Sequence, residues 1–332
     1  MVLFWYNRGC VNESNQKEGK DMKQIFLSTM TDLEEIQTFE PGAWINLVNP
    51  SQSESMEVAE HYKIDIADLR APLDAEESSR ITVEDDYTLI IVDVPILEER
   101  NNKTYYITIP LGIILTDEAI ITTCLEELPL FEQFIHRRIR NFFTFMKSRF
   151  VFQILYRNAQ LYLSALRTID RKSEEIEKQL HEATRNEELI VLMELEKTIV
   201  YFKASLKTNE RLVKKLASST RLLRKYEEDE DLLEDVIIEN KQAREMVEMY
   251  STILARLADT FSSIMSNNLN LVMRFLAAMT IILAIPTVIS SFFGMNVEVP
   301  MSENPLAFLD ICILAVLLAG ICATVLWRKN MF

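Results

Sequence analysis

The chain has 332 residues, 48% of them hydrophobic and 26% charged, with a net charge of −15. That length accommodates a soluble domain plus a small membrane part. The acidic balance argues against a phosphate-binding or nucleic-acid-binding protein, which needs a basic face, and suits a soluble part that attracts cations.

The first six residues are apolar but are broken by Asn7-Arg8-Gly9. No signal peptide is therefore expected, and the bulk of the chain should stay in the cytoplasm. Residues 1–129 read as α/β. The run 44–48 looks like a strand closed by Asn49-Pro50. A helix should follow, with Ser51 as N-cap and Glu54 three positions on, the capping-box pattern. Residues 87–94 and 105–115 are β-branched and aromatic runs joined by a polar turn around Asn101-Asn102, and 120–124 is a third strand. The uninterrupted run Leu89-Ile90-Ile91-Val92 predicts a sheet covered on both faces.

None of the nine prolines and six glycines falls between residues 130 and 285, which predicts long helices there. From His136 onward, Ile139, Phe142, Phe143, Met146, Phe150, Phe152 and Leu155 recur at helical spacing. The charged stretch 168–185 should protrude as part of a helical hairpin, with 189–223 returning and 226–231 forming an acidic turn. From 232 to 293 only Pro286 interrupts a helix, and neighbouring helices can accommodate a proline in a membrane. The line Met246, Met249, Ile253, Leu257, Phe261, Ile264 leads into the apolar part without a linker.

Residues 271–293 and 306–327 are each long and apolar enough to cross a hydrocarbon core of about 30 Å. Arg274 precedes most of the first span and Arg328-Lys329 follow the second, while the loop between has Glu298 and Glu303 but no Lys or Arg. The positive-inside rule puts both termini inside and the loop outside. Trp327, with Phe292, Phe293 and Phe308, fits interfacial anchoring, and Asp310 is the one charge within the second span. On the first span a helical step picks out Asn270, Met273, Leu276, Thr280, Ala284, Thr287, Ser291 and Gly294. Either this stripe is wet, or its Ser/Thr hydroxyls bond their own helix carbonyls.

No nucleotide loop, serine-hydrolase elbow or zinc-protease helix is present, so no enzyme is expected. His61, His136 and His181 are scattered, and Cys10, Cys124, Cys312 and Cys322 show no metal-site spacing. Glu84-Asp85-Asp86 and Glu98-Glu99 read as solvated turn charges.

Gly294-Met295-Asn296 at the outer end of the first of two C-terminal spans resembles the CorA-type divalent-cation channels, over nearly the whole chain. The resemblance implies an α+β membrane protein divided as 1–135 cytoplasmic α/β domain, 136–231 helical hairpin, 232–293 stalk helix entering the membrane, 294–305 external loop, 306–327 second span and 328–332 cytoplasmic tail. It implies a homopentamer in the cell membrane, with the first spans inside and the second outside. Gly294, Met295 and Asn296 would form the selectivity filter. Asn270, Met273 and Leu276 would line the inner pore, and Glu298 and Glu303 would concentrate cations outside. Asp235, with Glu234 and Asp68, would hold a regulatory Mg²⁺ between subunits, although the family's acidic pair is only Ala67-Asp68 here. No prosthetic group is implied; Mg²⁺ would be both substrate and regulatory ligand, with Co²⁺ or Ni²⁺ as secondary ions. A Zn²⁺ transporter on the same scaffold, or a membrane-anchored sensor that transports nothing, are the alternative readings.

Overall fold

The computed structural model describes residues 23–29, 32–100, 103–136, 138–179, 186–218, 229–295 and 306–329. The chain divides into two compact units, Met1–Lys178 with Ile190–Leu254, and Gln179–Leu189 with Ala255–Phe332.

The first unit is built on a seven-stranded sheet. Its strands are β1 (Lys23–Ser28), β2 (Leu33–Ile36), β3 (Trp44–Val48), β4 (Arg80–Val83), β5 (Tyr87–Arg100), β6 (Lys103–Thr116) and β7 (Ile120–Cys124), in the order β2-β1-β3-β7-β6-β5-β4. All neighbours are antiparallel except β3 and β7, which run parallel from Trp44 beside Ile120 to Val48 beside Cys124. The crossover after β3 begins with α1 (Gln52–Tyr62), whose capping box is formed as expected from Ser51 and Glu54. Next comes α2 (Ile66–Arg70), capped by Asp65, whose carboxylate accepts from the Ala67 N–H at 2.8 Å. Gly112 on β6 stands where a Cβ would come within 2.3 Å of the Pro72 ring, so only glycine allows that approach.

Side-chain alternation gives the sheet two buried faces. Ile90, Val92, Val94 and Ile96 share a core with Phe150, Leu155, Leu212 and Val236, whereas Leu89 and Ile91 pack with Val58, Tyr62 and Leu69. The continuous apolar run of β5 follows from having both faces covered. Trp44, fully buried, has the rings of Phe26, Phe131 and Phe150 within 5.0–5.2 Å and donates from Nε1 to Thr122 Oγ1 at 2.8 Å.

The helices are α3 (Pro129–Ile135), α4 (Lys147–Gln179), α5 (Asn186–Ser218), α6 (Glu230–Phe293) and α7 (Ala307–Arg328). The expected helix from His136 is corrected: α4 starts only at Lys147. Asn141 adopts φ 53° in the intervening stretch, and the Thr144 N–H donates to Ser28 Oγ at 2.8 Å instead of to a helical carbonyl. Phe142 is thereby delivered to the aromatic cluster, 4.7 Å from Phe150. The expected apolar line on α6 runs into the second unit without a break, and its Leu257 and Phe261 are buried. Its Met249 and Ile253 are 49% and 42% exposed instead, and the buried positions of α6 in the first unit are Leu233, Val236, Asn240, Ala243, Val247, Tyr250 and Leu254.

The second unit holds α6 from Ala255 onward and α7. Pro286 lies inside α6 without ending it. Asn101-Asn102, His181, residues 219–228 and the loop 296–305 lie outside the described residues.

The face of the first span and its mouth

Both spans are long enough to cross a membrane, and only 6% of the most apolar window of each is buried. A core helix of a soluble protein would be mostly covered, and neither helix is N-terminal, as a signal sequence would be. Within this exposed pair the few covered residues form two stripes. On α6 they are Ala278, Ile282, Ile285, Pro286, Ile289 and Phe293; on α7 they are Ile311, Ala315, Ala319, Cys322, Ala323 and Leu326. Each stripe recurs at helical spacing, and three of the α7 residues are alanines, small enough to let two backbones approach.

Asn270, Met273, Leu276, Thr280, Ala284, Thr287 and Ser291 are all exposed. At about 100° per residue, Met273, Thr280, Thr287 and Ser291 fall within a narrow sector, and Ile289 lies roughly half a turn away from Thr280. The stripe selected from the sequence is therefore opposite the covered one.

Two of the hydroxyls on that stripe are committed. Thr280 Oγ1 donates to the Leu276 carbonyl at 2.8 Å and Thr287 Oγ1 to Leu283 at 3.0 Å. Of the two readings of these residues, back-bonding is what a single chain displays. It does not exclude a wet face. A hydroxyl whose proton is tied to its own helix offers only lone pairs outward. At the end of α6, the Gly294 N–H donates to the Ser290 carbonyl at 3.0 Å and Met295 N to Phe292 at 3.4 Å, so the helix closes in a tight turn. A Cβ on Gly294 would sit 3.2 Å from the Ser290 carbonyl oxygen, closer than a side chain normally comes. Met295 is 55% exposed. Asn296, Glu298 and Glu303 lie outside the described residues.

The three carboxylates expected to bind a regulatory ion are not assembled in one chain: among the described residues no group of three or more metal-binding side chains occurs. Glu234 and Asp235 are exposed on α6. Asp68 is occupied, accepting from the Tyr87 hydroxyl at 2.8 Å and from Arg80 Nη2 at 3.4 Å. Burial, together with that bond, pushes the Tyr87 phenol up to about 12, so it remains a donor.

Two further polar features escaped the sequence reading. Asp93 interrupts the buried run of β5. Its backbone carbonyl accepts from Asn158 Nδ2, Asn209 Nδ2 and the Tyr162 hydroxyl at 2.8–3.2 Å, and its N–H donates to Asn209 Oδ1. Burial raises its carboxyl above the ordinary range, opposed by the hydroxyls of Ser205, Ser79 and Thr208. A lone acid inside an apolar strand was the available signal. At the head of α6, Asp229 is 3% exposed and pairs with Arg149 of α4 at 2.6 Å; nothing in the spacing of those two residues marks them as partners.

An α/β unit followed by two long, apolar and largely uncovered C-terminal helices, the first continuing a long helix of the α/β unit, defines a membrane protein of the two-span, stalk-helix class. Residues 40–329 match the model of the CorA-like Mg²⁺ transporter proteins. The chain belongs to that family, whose members are transporters or channels and not enzymes. The cobalt/magnesium transport protein CorA of Methanocaldococcus jannaschii is 26% identical over 302 residues, spanning 86% of this chain and 90% of that protein. The complete structure of the CorA magnesium transporter from that organism superposes with a TM-score of 0.77 at 22% identity, covering 95% of this chain and all of the other. The full-length CmaX protein superposes at 0.66 with 14% identity, over 95% of this chain and all of the other. The match to the ZntB cytoplasmic domain of Vibrio parahaemolyticus reaches 0.56 at 13% identity, over 74% of this chain and 96% of that domain.

Proposed function

We propose that this chain forms a homopentameric, passive channel for divalent cations, Mg²⁺ foremost and Co²⁺ or Ni²⁺ as secondary ions. The observation that carries the reading is the division of the first span into a partly covered face and an opposite, exposed face with Met273, Thr280, Thr287 and Ser291. One hairpin cannot enclose a water path, so that face becomes a pore only when several copies surround an axis. Mg²⁺ dehydrates reluctantly, and its bound waters point hydrogens outward. Acceptor-only oxygens at Thr280 and Thr287 complement such an ion without stripping it.

Gly294, Met295 and Asn296 would form the mouth. The amide oxygen of Asn296 is the only side-chain oxygen there, and Glu298 and Glu303 would raise the local cation concentration. Both termini would face the cytoplasm. No energy source beyond the membrane potential is required, since 100 mV moves two charges with about 4.6 kcal/mol, at ~2.3 per charge. Gating would follow from Glu234 and Asp235, exposed and, among the described residues of their own chain, without a metal-binding group of three. Pressed against a neighbouring subunit, these carboxylates repel unless an intracellular cation bridges them, and α6 runs unbroken from them to Met273 and Leu276.

The test is Asn296→Ala in proteoliposomes. Mg²⁺ uptake should be lost while oligomer size on gel filtration is retained; near-normal uptake removes Asn296 from the mechanism.

A further inference from the structure

Two exposed patches of opposite charge flank one end of the seven-stranded sheet in the first unit. The first is the turn between β4 and β5, where Glu84, Asp85 and Asp86 are all exposed beside Val83, itself 57% exposed. The Glu84 N–H closes this turn by donating to the Tyr87 carbonyl at 2.9 Å. The second is the stretch between α3 and α4. Arg138 and Arg140 are exposed there, and Phe145 is 46% exposed with its ring 5.2 Å from that of Phe143. Hydrogen bonds between Thr144 and Ser28 fix this stretch to the end of β1. Among the described residues, no ion pair reaches Glu84, Asp85, Asp86, Arg138 or Arg140. The next basic side chain, Lys147, is bonded to the Thr116 and Asp117 carbonyls at 2.7 Å each.

Strand register places the two patches relative to each other. Tyr87 lies beside Thr116, Leu115 beside Ile120, Ile120 beside Trp44 and Trp44 beside Phe26. One row of residues thus crosses the sheet from the acidic turn before Tyr87 to the last residues of β1, so both patches stand at the same end. They stand toward opposite edges, because five strand spacings separate β4 from β1, ~24 Å at ~4.8 Å each. An ion pair closes only within about 4 Å, so the two patches cannot neutralise each other in one chain. Copies set side by side around an axis bring the acidic turn of one to the basic stretch of the next. A contact between two different patches of this kind is heterologous and closes a ring.

We propose that the turn Glu84-Asp85-Asp86 docks on Arg138 and Arg140 of a neighbouring copy of this chain, with Val83 set against Phe145. The contact rests on the homo-oligomer of the proposed channel. It supplies what Glu234 and Asp235 do not, an attraction between subunits that requires no bridging ion. A second copy is the occupant because every copy carries both halves of the pair. An extended polyanion would meet two arginines on a chain of net charge −15, which repels it elsewhere. The acidic turn, solvated in a single chain, becomes one side of a subunit contact in the ring.

The test is charge reversal with rescue. The full-length protein in detergent, in Mg²⁺-free buffer, is diluted and its oligomer followed by mass photometry. Arg138→Glu with Arg140→Glu places like charges opposite each other and should move dissociation to a protein concentration at least about tenfold higher than for the wild type. Glu84→Lys with Asp85→Lys should do the same. All four changes in one chain restore opposite signs and should return dissociation to within about threefold of the wild type. The four side chains are exposed, so far-UV circular dichroism of every variant should match the wild type. A wild-type oligomer that neither reversal weakens overturns the docking and leaves the homo-oligomer standing. A fourfold variant that dissociates more readily than either pair does so too. A wild type that is monomeric at every concentration overturns the homo-oligomer and the docking with it.

Discussion

Replacing Thr287 by valine separates the proposed role of the first span from its folding. Valine keeps the shape of threonine and its β-branch but lacks the hydroxyl. In a single chain that hydroxyl only donates to the Leu283 carbonyl at 3.0 Å, a bond nearly neutral for helix stability. Melting of the variant should therefore stay within about 0.5 kcal/mol of the wild type, as for other surface changes. In a pentamer the same substitution removes a ring of five acceptors from the water path. If a passing hydrated ion loses two or three water hydrogen bonds there, at ~1 kcal/mol each, the barrier rises by ~2–3 kcal/mol. Uptake should then fall roughly 30- to 150-fold, at tenfold per ~1.4 kcal/mol. Thr280→Val should behave likewise, since its hydroxyl makes the same bond to Leu276. Thr324 provides the control, because its hydroxyl donates to Ile321 at 2.7 Å on the other helix; Thr324→Val should leave uptake unchanged. The assay is Mg²⁺ entry into proteoliposomes under a fixed potential, with melting followed on the same preparations. Wild-type uptake by both Thr280→Val and Thr287→Val, or an equal loss in Thr324→Val, would refute the assignment of faces.

Two predictions concern the first unit. Asp93 has its carboxyl raised by burial, so the folded state binds its proton more tightly than the unfolded chain. The stability this gives is present at low pH and lost as pH rises through the raised value. Asp93→Asn should accordingly melt higher than the wild type at pH 7–8, with the difference closing toward pH ~4, the ordinary carboxylate range; a gap that does not depend on pH would contradict this. Arg149→Met leaves Asp229 buried and unpaired and should cost about 3–5 kcal/mol, whereas adding Asp229→Leu should recover most of it. A double variant no more stable than the single one would show that the ion pair itself holds the head of α6.

Much of this architecture is legible in the sequence because strong local signals and tertiary demands agree. The capping box at Ser51 and Glu54, the apolar core of β5 and the two C-terminal spans are of that kind. The strands β2 (Leu-Glu-Glu-Ile) and β4 (Arg-Ile-Thr-Val) are edges of four residues each, too short for their pattern to stand out. Absence of glycine and proline was too weak a criterion between His136 and Met146, where contacts with Ser28 and the Trp44 cluster override helix propensity. On α6, Met249 and Ile253 are as apolar as the buried residues beside them, and only packing distinguishes Val247, Tyr250 and Leu254 as the covered face. On the first span the helical step from Asn270 picked out residues that are all exposed, since one face of a lone helix follows from periodicity alone. The pairings of Arg149 with Asp229 and of Glu210 with Arg244 depend on three-dimensional contacts that no local pattern encodes.

The central claim is that this chain conducts divalent cations down their electrochemical gradient. Purified wild-type protein in sealed vesicles, free of ATP and of any H⁺ or Na⁺ gradient, is given external Mg²⁺ while a K⁺ diffusion potential is set at several values. The account predicts Mg²⁺ entry that requires the protein, grows as the interior becomes more negative and reverses with the sign of the driving force. Entry no faster than in protein-free vesicles at every potential would contradict it, and would leave the hairpin as an anchor.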